Sequence, residues 1–197
     1  MLKVLVTGHP NTGTSFLCNL IAELGFSAGQ NENLKSADSH NRFGYYENLR
    51  LRDYLRDALS LNAFKVWDPG ALSSKQIELE QLDKVTIKNN IIQIVEDEGI
   101  EVYKDNLLPL FYTLFPPTAK IVVIERNAED VFASPQKGGH SPMGVRFDQF
   151  MQSYQAYKGL CHSMQQEAEV LLVDYDKFKY DLESQIKQIS DFLNVKE

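Results

Sequence analysis

The stretch Leu2-Lys3-Val4-Leu5-Val6-Thr7-Gly8-His9-Pro10-Asn11-Thr12-Gly13-Thr14-Ser15 decides the fold. Its first half is a short run rich in Val and Leu that stops at Gly8, the pattern of a buried parallel strand. From Thr14 to Leu24 the apolar residues Phe16, Leu17, Leu20, Ile21 and Leu24 recur at helical spacing, and Gly25 ends that helix. Outward from this unit the alternation continues. A polar loop is expected over Ser27–Tyr46, a helix over Glu47–Ser60, a short strand over Ala63–Trp67 and a turn at Asp68-Pro69-Gly70. Lys75–Glu98 reads as largely helical, stopped by Gly99. Strands are expected at Ile100–Lys104, Lys120–Glu125 and Glu169–Val173. Helices are expected at Asn106–Phe115, Ala128–Ala133, Val145–Gln166 and Leu182–Leu193, with a mobile loop at Ser134–Gly144. Strands alternating with helices predict an α/β fold: one domain over residues 1–197, with a mostly parallel central sheet flanked by helices on both faces.

The chain has 197 residues, 43% of them hydrophobic, enough for a sizeable core and too apolar for general disorder. Lys and Arg number 20 against 27 Asp and Glu, a net charge of −7 that argues against a nucleic-acid partner. The only two cysteines, Cys18 and Cys161, form no C-x-x-C pair and read as buried small hydrophobes. No cluster has metal-ligand spacing, and no apolar run reaches the roughly 18 residues that span a bilayer. Met1–Gly8 is interrupted too soon for a signal peptide. A cytoplasmic protein without metal or membrane is expected.

Gly8 to Ser15 has the spacing of a phosphate-binding P-loop, G-x-x-x-x-G-K-[ST], with Thr14 at the lysine position. Glycines let the backbone curl, its N–H groups converge, and the helix N-terminus adds partial positive charge. Thr14 and Ser15 add hydroxyls. The missing ammonium weakens a nucleoside-triphosphate reading, so a divergent nucleotide kinase stands as an alternative. A plain strand-to-helix turn with a good cap is the other. A second anion motif follows the strand Lys120–Glu125. Arg126 lies at its C-terminal end, where open α/β sheets bind ligands, and Ser134 follows about two helical turns later. A planar guanidinium and a short hydroxyl suit one phosphate.

Together these motifs resemble the sulfotransferase family that uses 3′-phosphoadenosine 5′-phosphosulfate (PAPS). Gly8, Pro10, Asn11, Thr12, Gly13, Thr14 and Ser15 look like that family's 5′-phosphosulfate loop, and Arg126 with Ser134 matches its 3′-phosphate motif. Asn41–Glu47, Tyr103-Lys104-Asp105 and Val173–Leu193 resemble further family segments, in the right order. The resemblance implies sulfuryl transfer from PAPS to a hydroxyl or amine on a small-molecule or glycan acceptor, with no metal. The sequence also departs from the family. Asn11 stands where the family usually has Lys or Arg, a cation that stabilises charge on the bridging oxygen. Asn106-Leu107 replaces Pro-Arg after Lys104-Asp105, and Lys137-Gly138-Gly139 is a candidate for the C-terminal Arg-Lys-Gly element of larger members. A catalytically impaired nucleotide-binding module is therefore an alternative.

An acceptor needs a general base. Glu47 is the first candidate, standing where related proteins carry an acidic base; the competing reading is a solvated glutamate in a helix's first turn. His9, inside the loop, is the second; the competing reading is a ring that points away and caps the sheet. Lys104 can supply the charge missing at Asn11, and Asp105 can orient Lys104 or the acceptor. Trp67, Tyr45 and Tyr46 are candidates for stacking on adenine or for shaping an acceptor pocket, or simply for packing. His40 and His140 fall in polar loops, and His162 in a helix.

Overall fold

A computed structural model describes residues 1–38, 41, 44–62, 64, 69–137 and 145–195. Its centre is a sheet of four parallel strands: β1 (Val4–Thr7), β2 (Val102–Lys104), β3 (Lys120–Glu125) and β4 (Val170–Asp174). Their spatial order is β2-β1-β3-β4. The helices are α1 (Thr14–Glu23), α2 (Leu49–Ala58), α3 (Pro69–Glu80), α4 (Lys84–Glu98), α5 (Ala128–Lys137), α6 (Phe147–Ser163) and α7 (Leu182–Leu193).

Alternation along the strands divides the core into two layers. Val4, Val6, Val122 and Ile124 face α1 and α7, against Leu17, Ile21, Ile189 and Leu193. Leu5, Ile121 and Val123 face the other side, against Leu51 and Leu55 of α2, Leu72 of α3, Ile91 of α4 and Tyr157 of α6. Helices thus cover both faces, as the alternating pattern predicts. All strands being parallel, Thr7, Lys104, Glu125 and Asp174 end on one edge. The register pairs Val6 with Lys104 and Thr7 with Val123, which brings the connection after β1 between those after β2 and β3.

Local differences from the sequence reading have local causes. The stretch expected as largely helical over Lys75–Glu98 is so, divided between α3 and α4, because Asp83 caps α4: its carboxylate accepts from the Val85 and Thr86 amides and the Thr86 hydroxyl. Gly99, at φ 66°, ends α4. Pro69 opens α3 rather than sitting in a turn, a position that costs no hydrogen bond; Asp68 lies outside the described residues. Asn106–Phe115 forms two single 3₁₀ turns, Leu108–Leu110 and Tyr112–Leu114, instead of a helix. Pro109 sits in the first of them. Helix α5 extends through Ser134 to Lys137, into the expected loop, whose residues 138–144 lie outside the described ones. So do Trp67, His40, His140 and most of the expected strand at Ala63–Trp67. Both cysteines are buried, and burial pushes the Cys18 thiol up to about 12.

Candidate functional site: a glycine-rich loop between two cationic strand ends

The loop from Gly8 to Gly13 is closed on itself. The Thr12 amide and hydroxyl both donate to the His9 carbonyl, at 3.1 and 2.7 Å. The two glycines serve different needs. A Cβ on Gly8 would stand 2.6 Å from the Ile124 carbonyl oxygen. Gly13 has φ 103°, and a Cβ there would strike the Tyr175 ring at 2.5 Å. Asn11 also has a left-handed backbone, φ 69°, which Asn tolerates better than most residues. Helix α1 begins directly after Gly13 with no side-chain cap and no acidic residue in its first turn. Its leading amides therefore keep their hydrogen-bonding capacity and partial positive charge.

Cations approach this loop from both neighbouring strand ends. On one side Lys104, its side chain 2% exposed, places Nζ 3.3 Å from Ser15 Oγ and 2.7 Å from Glu47 Oε1. On the other, Arg126 Nη1 donates to the Asn11 carbonyl at 3.3 Å, and its guanidinium carbon lies 4.8 Å from the centre of the Tyr175 ring. Its Nε is buried and makes no hydrogen bond among the described residues. Its nearest carboxylate, Asp130, is 4.0 Å away, so no tight ion pair consumes the fork. Ser134 sits part-buried on α5, in the turns after Arg126, and no hydrogen bond among the described residues joins it to the loop.

Glu47 is not a first-turn residue. Asn48 is the N-cap of α2, its side chain accepting from the Leu51 amide, so Glu47 stands just before the helix. A backbone bond from Lys35 N to Glu47 O and the side chain of Glu98, which accepts from Asn33 and Asn48, hold this segment. Burial pushes the Glu47 carboxyl up, but Lys104, then Lys35 and Arg52, outweigh burial and hold it below the ordinary 4.5. It is a carboxylate at neutral pH, with one oxygen 2.7 Å from Lys104 and the other 3.4 Å from Arg52.

The remaining candidates have other partners. His9 points away from Lys104 and Glu47, 1% exposed among the rings of Phe150, Tyr154 and Tyr157. Burial lowers its pKa to about 4. Asp105 accepts from Arg56, the Tyr103 hydroxyl and the Leu107 amide; among the described residues it makes no bond to Lys104. Tyr45 lies under Lys35, with Lys104 Nζ 6.0 Å from its ring centre, and Tyr46 packs beside α1 with its hydroxyl on Asn19. Thr14 and Thr12 are buried, which leaves Ser15 as the loop hydroxyl beside the cation.

Next to Glu47 opens a cleft of about 490 Å³, lined by Pro10, Glu47, Arg52, Arg56, Phe64 and Asn106 among others. Its wall mixes apolar side chains with Arg52, paired to Glu47 and Asp53, and Arg56, paired to Asp105, and leaves room for a small organic molecule. A family model for the sulfotransferase domain matches residues 2–197. The chain belongs to the sulfotransferase family. Its fold is similar to that of the sulfotransferase domain from the curacin biosynthetic pathway, with 12% identity and a TM-score of 0.54 over 100% of this chain and 75% of that one. It is similar again to the sulfotransferase domain of the Synechococcus PCC 7002 olefin synthase, at 15% identity and a TM-score of 0.55, covering 100% of this chain and 74% of that one. At such identities the likeness is one of fold. A search of the curated proteins gives no match. No helix among the described residues is long and apolar enough to cross a membrane.

Some residues of this sulfotransferase-family site carry no motif. Arg52 and Arg56 reach the cleft from successive turns of α2, a spacing visible in Leu49-Arg50-Leu51-Arg52 onward but common on any solvated helix. Asn106 donates to the Gly8 carbonyl at 2.8 Å and so fastens the loop to the end of β2. Tyr175 packs against Gly13 and Arg126 together.

Proposed function

We propose that this sulfotransferase-family chain, as one domain over residues 1–197, transfers a sulfuryl group from PAPS to a hydroxyl or amine acceptor. The observation that carries this reading is the glycine-rich loop lying between Lys104 and Arg126 at one edge of the sheet. The residues present fit such a nucleotide. Gly8 and Gly13 leave no room for a Cβ, α1 starts uncapped, and the Arg126 Nε is without a partner among the described residues. The loop amides and Ser15 hold the 5′-phosphate end, and Arg126 with Ser134 takes the 3′-phosphate. When bound, PAPS supplies an activated sulfuryl group on a nucleotide leaving group.

The protein's own work is positioning and charge stabilisation, as in phosphoryl transfer. Asn11 brings only hydrogen-bonding capacity to the position where the family usually has a cation. Lys104 brings the ammonium from the neighbouring strand. Glu47 takes the acceptor's proton from the cleft side. Its ionised state suits a base, and its proton affinity rises as Lys104 turns from it toward negative charge building at the loop.

The test is transfer of labelled sulfuryl from PAPS to a panel of phenols, alcohols, sugars and amines. Wild type is expected to turn over at least one class. Glu47→Gln should lose about 10²- to 10⁴-fold in kcat while still binding nucleotide. Unchanged kcat in Glu47→Gln removes the base role. Nucleotide binding without turnover on any acceptor favours an impaired binding module.

A further inference from the structure

The face of α6 behind the site has no part in the chemistry proposed above. Phe150, Tyr154 and Tyr157 follow one another at helical spacing and are 0, 3 and 2% exposed. Their rings meet the His9 ring edge-on, at centroid distances of 5.5, 5.2 and 5.4 Å. Phenylalanines would fill that volume equally well. The tyrosine hydroxyls need partners when buried, and both find them on backbone that carries the site. Tyr154 donates to the carbonyl of Arg126. Tyr157 donates to the carbonyl of Asn106 at 2.6 Å and lies 2.8 Å from the Thr7 hydroxyl. One helix face thus grips the ends of β1, β2 and β3.

Arg126 depends on this grip more than the loop does. The loop is closed by its own bonds, whereas the guanidinium has one 3.3 Å bond to the Asn11 carbonyl, a distant carboxylate and a ring face. Its aim is therefore set by its backbone. Resting on the nucleotide reading above, we propose that Tyr154 is a positioning residue for recognition of the nucleotide's 3′-phosphate, acting through the Arg126 carbonyl. Tyr157, bound to the ends of β1 and β2, supports the loop instead and carries no preference for the 3′-phosphate.

Competition titrations with 3′,5′-adenosine bisphosphate and adenosine 5′-monophosphate separate these roles. Wild type should bind the bisphosphate more tightly. Tyr154→Phe keeps the ring and should lose about three- to tenfold for the bisphosphate, with less than about twofold for the monophosphate. Tyr157→Phe should weaken both ligands alike. Phe150→Leu, which loosens the packing without touching either hydroxyl, should lower Tm and leave the ratio of affinities at the wild-type value. Parallel losses for both ligands in Tyr154→Phe, or no loss, overturn the positioning role. Wild type that binds neither ligand, or binds both equally, overturns the nucleotide reading and the inference with it.

Discussion

His9 shows how a single buried side chain records its surroundings. It stands in the loop, yet its ring belongs to the aromatic pocket of α6. Burial lowers its pKa to about 4 from an ordinary 6.5. Between those values the unfolded chain takes up a proton that the folded chain refuses. Stability therefore falls as pH drops through that window. Unfolding free energy, read from denaturant midpoints, should be about 2 kcal/mol smaller at pH 5 than at pH 7 from this group alone. The same comparison in His9→Phe should lose that part of the slope. An unchanged slope would contradict the burial argument. Glu47 titrates with the same sign: Lys104 outweighs burial and holds it below the ordinary carboxylate value, so it adds stability above that value, and this stability is lost as pH falls into stronger acid.

These two residues also show what was legible. Glu47 and His9 both read as candidate bases in the sequence, each a polar side chain beside a glycine-rich segment. What separates them is tertiary. Lys104 reaches Glu47 because β2 lies beside β1 in a particular register, and no local motif contains a register between strands about a hundred residues apart. The position of Asp105 beside Lys104 in sequence predicts a role with it, but successive strand-end residues point to opposite sides, and Asp105 turns to Arg56.

At the scale of elements, the strand–loop–helix unit is the most legible part. Its apolar run, glycine spacing and helical period agree with one another, and the structure follows them closely. The helical stretch over Lys75–Glu98 is less legible in its division, because helical periodicity runs on through a break made by a single cap at Asp83. The glycine-rich loop makes a sharper prediction. Gly13→Ala combines a left-handed backbone with a Cβ inside the Tyr175 ring. It should lower Tm by several degrees and weaken nucleotide binding more than about tenfold, because the Tyr175 ring that must shift also faces Arg126. Gly25→Ala, whose Cβ would meet nothing within 4 Å, also has positive φ and serves as the control: it should cost stability while leaving affinity alone. Thermal melts and titrations of both variants check this; equal affinity losses would contradict it.

At the scale of the whole molecule, a net charge of −7 and an anionic ligand are compatible because the loop offers backbone amides and an Arg126 whose nearest carboxylate is 4.0 Å away. Lys104 and Arg126 flank one loop at the C-terminal edge of a parallel sheet, and Arg52 and Arg56 line the adjoining cleft. That edge collects the ends of all four strands, so distant segments of sequence converge on it. The central claim is that a nucleotide 3′,5′-bisphosphate binds there. Calorimetric titration of wild type with 3′,5′-adenosine bisphosphate tests it most directly. A saturable one-site isotherm is expected, weakened about ten- to a hundredfold in Lys104→Met and in Arg126→Met, the loss of a charged hydrogen bond in each. No heat and no thermal shift at millimolar ligand, or affinity indifferent to both substitutions, would contradict it.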